Sequence, residues 1–122
     1  MPDVHFVNKE SKPVLLMDFS GIRDYAALPV LVDNAIQLAS AGGKRSSVLA
    51  LVDLSGTRIN SVVVKSLKRL SRGNGPYVRA IAFVGMGWIA SAMLGGLLLL
   101  RGKTNHKVLR GRIEAMTWLL AQ

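Results

Sequence analysis

The chain has 122 residues, half of them hydrophobic and 19% charged, which is enough apolar material for one ordinary core and excludes wholesale disorder. It holds 16 basic and 7 acidic residues, a net charge of +9, and no cysteine, so disulfides, thiolate metal sites and a cysteine nucleophile are excluded. That charge suits nucleic acid, anionic lipid or an acidic protein and does not choose among them.

The opening MPDVHFVNKESKP is too polar for the apolar core of a signal peptide, so a cytoplasmic protein is expected. The sequence is read as one domain, with residues 1–12 as a polar N-terminal segment in which 4–7 can form a short strand. The first strong strand covers 14–19, VLLMDF, and Ser20-Gly21 closes it. Asp24 then caps a helix over about 25–40, whose residues Leu28, Leu31, Val32, Ala35, Ile36, Leu38 and Ala39 share one face. Pro29 sits too deep for a first-turn proline, so this helix starts later or kinks. Residues 47–54, SVLALVDL, form a near-continuous apolar strand of the kind buried on both faces. Asn60 or Ser61 caps a second helix running to about Arg72, and Gly73-Asn74-Gly75-Pro76 stops it. Residues 77–84 form the next strand, 106–109 a short edge strand, and 112–121 a terminal helix with Ile113, Met116, Trp118, Leu119 and Leu120 as its apolar residues. Strands alternating with helices predict an α/β domain.

The second helix has the clearest pattern. At 100° per residue Lys65, Lys68, Arg69 and Arg72 fall on one stripe, and Val63, Ser66, Leu67 and Leu70 on the opposite one. Ser61 lies at the N-terminal end of the basic stripe, where free amides and the helix dipole favour an anion. Capping and a solvated basic face explain the same residues without any ligand.

The segment VLALVDLSGTRINSVVVKSLKRL resembles the central strand, loop and helix of STAS-type domains, and more closely the stand-alone, STAS-like SpoIIAA-like family of small bacterial proteins. The resemblance rests on Asp53-Leu54-Ser55-Gly56-Thr57-Arg58 and Asn74-Gly75-Pro76-Tyr77-Val78. Met17-Asp18-Phe19-Ser20-Gly21 with Asp24-Tyr25, and Arg101-Gly102 before the last strand, add to it. It spans about 13–120. It implies a mixed sheet of four to five strands with about four helices mostly on one face, and a non-catalytic interaction or regulatory module. In some STAS domains a serine at the start of this helix is phosphorylated. Ser61 corresponds to it, but the Asp-Ser-Ser-Gly pattern of the antagonists is replaced by Asn60-Ser61-Val62-Val63. The expected contact surface comprises Asp53, Ser55, Thr57, Arg58, Asn60, Ser61, Lys65, Lys68, Arg69 and Arg72.

Residues 81–100, IAFVGMGWIASAMLGGLLLL, are 20 uncharged positions, long enough on length alone to span a membrane. Their glycines favour a division into the end of a strand, a turn at 85–87 and a helix over 86–100. That helix has almost no polar side. Trp88, Leu94, Leu98 and Leu99 are expected to form a homo-oligomer contact, a dimer, or alternatively to hold an apolar ligand or meet a membrane surface.

No catalytic constellation is recognised. The titratable candidates are Asp3, Glu10, Asp18, Asp24, Asp33, Asp53, Glu114, His5 and His106. Asp18 and Asp53 fall near the C-terminal ends of two strands, where α/β folds place their sites, and can approach each other. Loop and cap hydrogen bonds are the simpler use of both. No metal, cofactor or phosphate-binding glycine loop is expected. An interaction module, a carrier of a small apolar ligand or lipid, and a non-specific nucleic-acid binder remain open. The last lacks a stacking platform, since aromatics are 6% of the chain.

Overall fold

The structure is a computed structural model and describes residues 2–87 and 105–122. Five strands form one sheet in sequence order: β1 (Asp3–Lys9), β2 (Lys12–Asp18), β3 (Val48–Asp53), β4 (Val78–Val84) and β5 (His106–Leu109). β1 and β2 are an antiparallel hairpin, and every later pairing is parallel, so the sheet is mixed. The polar N-terminal segment therefore carries a full edge strand. Its turn is Glu10-Ser11, with φ of 50° and 65°. Both lie in the left-handed region that a two-residue hairpin requires, although neither is the Asn or Gly that usually signals it.

Helix α1 (Leu28–Ser40) joins β2 to β3, and α2 (Ser61–Asn74) joins β3 to β4. Both crossovers step the same way along the sheet, so one handedness places both helices on one face. The terminal helix α3 (Arg112–Leu120) packs on the opposite face, against β3 and β4. Among the described residues there are thus three α-helices, two on one face and one on the other. The period-two alternation of the strands sorts the core accordingly. Leu15, Met17, Ala50, Val52, Ile81 and Phe83 face α1 and α2. Val14, Leu16, Leu49, Leu51, Ala80, Ala82 and Val84 face α3, where Ala80, Ala82 and Ala115 let the helix sit close. The expectation that 47–54 is buried on both faces holds, since Leu49 to Asp53 are all buried.

Several expected boundaries shift for local reasons. Asp24 caps a separate 3-10 turn, Tyr25–Ala27, by accepting from the Ala26 amide, and α1 begins after it with Pro29 in its first turn. α2 passes through Gly73 and ends only at Asn74, one residue before Gly75 and the helix-breaking Pro76. Gly73 lies where α2 meets α1, and a Cβ there would stand 2.5 Å from the Ile36 side chain, so glycine serves close packing at this position rather than a helix stop. Ile113, one of the apolar residues of the last helix, is 85% exposed.

Residues 81–84 belong to β4, so the 20-residue apolar run is not one continuous span. Among the described residues no helix is long and apolar enough to cross a membrane. The expected helix over 86–100, with Trp88, Leu94, Leu98 and Leu99, lies outside the described residues apart from Met86 and Gly87, and Met86 packs on the core.

Candidate functional site

The loops after β2 and β3 meet at the C-terminal edge of the parallel strands. Asp18 and Asp53 end those two strands and are register neighbours. Each first serves its own loop. Asp18 Oδ1 accepts from the amide (3.1 Å) and the hydroxyl of Ser20, and Asp53 Oδ1 accepts from the Ser55 amide at 2.9 Å. Arg112, the first residue of α3, then bridges the pair, with Nε 2.6 Å from Asp53 Oδ2 and a terminal nitrogen 3.2 Å from Asp18 Oδ1. Both readings of these aspartates are therefore met: they bond their loops, and they come together. Arg112 was not among the expected site residues.

Burial pushes both carboxyls up. The hydrogen bonds from Ser20 to Asp18 and from Ser55 to Asp53, with Arg112 beside both, outweigh it and hold each below the ordinary aspartate value. The hydrogen bond to Asp53, with the attraction of both carboxylates, raises Arg112 in turn against its own partial burial. Both carboxylates stay ionised and engaged at neutral pH, which leaves neither suited to receive a proton there. Among the described residues no three metal-ligating side chains cluster.

Thr57 clasps the two loops. Its hydroxyl donates to the Phe19 carbonyl and accepts from the Ile22 amide at 2.9 Å, and Thr57 itself is 8% exposed. Gly21 and Gly56, with φ of 60° and 71°, face each other across this junction, and the Gly21 amide donates to the Ser55 carbonyl at 2.8 Å. Of the expected contact residues, Asp53 and Thr57 are thus buried and internally bonded. Asn60 caps α2 by accepting from the Val63 amide at 3.0 Å, which leaves Ser61 as the exposed first helical residue.

Ser55, Arg58, Ser61, Lys65, Lys68, Arg69 and Arg72 are exposed, and the opposite stripe of Val63, Ser66, Leu67 and Leu70 is buried, as the helical periodicity requires. Arg69 is set apart from the other cations, because it pairs with Asp33 and donates to the Pro29 carbonyl of α1. Arg23, Arg58, Lys65, Lys68 and Arg72 form no ion pair among the described residues. Arg23 and Arg58 line an open cleft of about 450 Å³ with Ile22, Tyr25, Gly56 and Asn60. Arg23 carried no signal in the sequence; its place beside Arg58 depends on the clasp between the two loops.

No family model matches the chain, and no curated protein matches it. Its structure is similar to the crystal structure of an uncharacterised protein from Shewanella loihica PV-4, described as a DUF3478 family member with a SpoIIAA-like fold. The two share 16% identity with a TM-score of 0.67, over 98% of this chain and 95% of that one. Five strands in this order, with two crossover helices on one face and a terminal helix on the other, give this chain a SpoIIAA-like fold.

Proposed function

We propose that this chain is a non-catalytic regulatory module of the cytoplasm that binds an acidic protein partner. Its contact surface is the 55–61 loop with the exposed basic side of α2. One contrast carries the reading. The acidic groups of the sheet edge are consumed internally by Arg112, Ser20 and Ser55, while five neighbouring cations stand exposed without counter-charges among the described residues. Such a field attracts an acidic surface and speeds its encounter. The Asp53, Thr57 and Asn60 hydrogen bonds fix the loop beforehand, so little ordering entropy is lost on binding. The SpoIIAA-like fold supports an interaction role by resemblance.

The test compares proteins retained from a lysate of the source organism by three immobilised chains. These are the wild type, a Lys65→Glu/Lys68→Glu/Arg72→Glu variant, and a Lys107→Glu control on strand β5, outside the proposed surface. A set retained by wild type and control but lost with the triple variant is expected. Identical profiles from all three would remove this surface as the binding site.

A further inference from the structure

β1 is an edge strand. β2 pairs along one side of it, and among the described residues no backbone pairs along the other. An open edge is a template for another strand unless proline, a bulge or mid-strand charge blocks it. β1, DVHFVNK, has no proline, and its register with β2 is unbroken. Its carboxylate, Asp3, and its lysine, Lys9, lie at its two ends, and between them His5 Nδ1 stands 2.9 Å from Asp3 Oδ2, which leaves the other Asp3 oxygen for a second cation.

The turn decides which groups face the open side. A two-residue turn closes on a hydrogen-bonded pair, here Lys9 with Lys12, and such pairs alternate along an antiparallel ladder. Asp3, His5, Val7 and Lys9 therefore turn their backbone groups to β2, and Val4, Phe6 and Asn8 turn theirs outward. Apolar surface flanks the edge on both faces of the sheet. Phe6 is 43% exposed on the α1 side. On the α3 side a groove of about 390 Å³, lined by Val7, Lys9, Ile113 and Met116 among others, lies against the strand, and Ile113 projects beside it.

We infer that β1 is the pairing surface for a second copy of this chain, joined antiparallel about a two-fold axis at Phe6. In that register Phe6 opposes the partner's Phe6 and Val4 opposes the partner's Asn8. All three outward-facing residues then bond, giving roughly six inter-strand hydrogen bonds. Asp3 of each copy faces the partner's Lys9. The strand is self-complementary under a two-fold rotation, with acid at one end and base at the other, which selects a second copy over an unrelated strand. Registers centred on His5 or Val7 lose hydrogen bonds and both ion pairs, and the latter sets His5 against the partner's Lys9. This surface is separate from α2 and does not depend on the partner proposed there.

Sedimentation equilibrium of the purified chain across the micromolar range, with carbodiimide coupling of a mixture of isotopically light and heavy chains, tests the inference. Within one chain Asp3 and Lys9 stand at opposite ends of an extended strand, roughly 20 Å apart at about 3.3 Å per residue, beyond a zero-length link. A dimer and a mixed-isotope Asp3–Lys9 peptide are expected. Asp3→Lys or Lys9→Asp alone, each placing like charges opposite one another twice, weakens dimerisation about tenfold, and the double variant restores it. Both positions are exposed, and circular dichroism confirms that each variant is folded. A monomer at every concentration overturns the inference. So does a dimer that lacks the Asp3–Lys9 link and ignores both single changes.

Discussion

Arg112→Met removes one cation from between two carboxylates while keeping most of the aliphatic stem that lies on the sheet edge. The partners are unequally exposed: the Arg112 side chain is 43% exposed, Asp18 22% and Asp53 7%. The pair with Asp18 is partly screened by solvent and is worth about 0.5 kcal/mol, whereas leaving the nearly buried Asp53 without its charged partner costs about 1.5 kcal/mol. The expected loss at neutral pH is therefore about 2 kcal/mol, or about 8 °C in Tm for a chain of this size. Its pH dependence identifies the cause. Both carboxyls have depressed folded values, so their contribution is fully present above the ordinary aspartate value of about 3.9 and is lost as pH falls through the folded values. In the variant the two carboxyls protonate at higher pH than in the wild type, which relieves their repulsion. The stability difference should be full at pH 7 and become smaller as pH falls below about 3.9 toward the folded values, as urea unfolding at pH 7 and near pH 3 followed by circular dichroism would read it. A difference of the same size at both pH values would mean that Arg112 acts by packing, and the electrostatic account would be wrong.

Thr57→Val leaves the Ile22 amide and the Phe19 carbonyl without their buried partner and should cost about 2–3 kcal/mol, while Thr57→Ser keeps both bonds and costs less than about 1 kcal/mol in the same unfolding assay. Gly73→Ala drives a methyl into Ile36 and should destabilise by about 1–2 kcal/mol despite the better helix propensity of alanine; Ile36→Val in the same chain should recover part of this, and strict additivity in the double-mutant cycle would show that the two helices do not meet there. Replacing Glu10-Ser11 by Asn-Gly supplies the residues that the positive φ angles favour and should raise stability by about 1 kcal/mol, read as a higher urea midpoint with unchanged slope.

The parts of this molecule visible in the sequence are those set by local periodicity. The continuous apolar runs within 14–19 and 47–54, and the opposed stripes of α2, follow from neighbours within one element, and these features stand as expected. The misplaced details are those decided across the fold. Gly73 looks like a helix stop until α1 brings Ile36 against it, and Glu10-Ser11 carries no turn signature because the pairing of β1 with β2 imposes the left-handed angles. Ile113 is apolar like Met116, Trp118, Leu119 and Leu120, but α3 turns Ala115 and Leu119 inward and leaves Ile113 exposed. The site divides in the same way. Asp18 and Asp53 are recognisable because each closes a strand, yet the group that occupies them lies 59 positions beyond Asp53, at the start of a helix reached through β5. A single arginine after a glycine has no local pattern to distinguish it from the other basic residues of a chain with 16 of them. Only the sheet order, which carries α3 back across the face of β3 and β4, makes that arginine the counter-charge and so separates the occupied acidic edge from the exposed cations beside it.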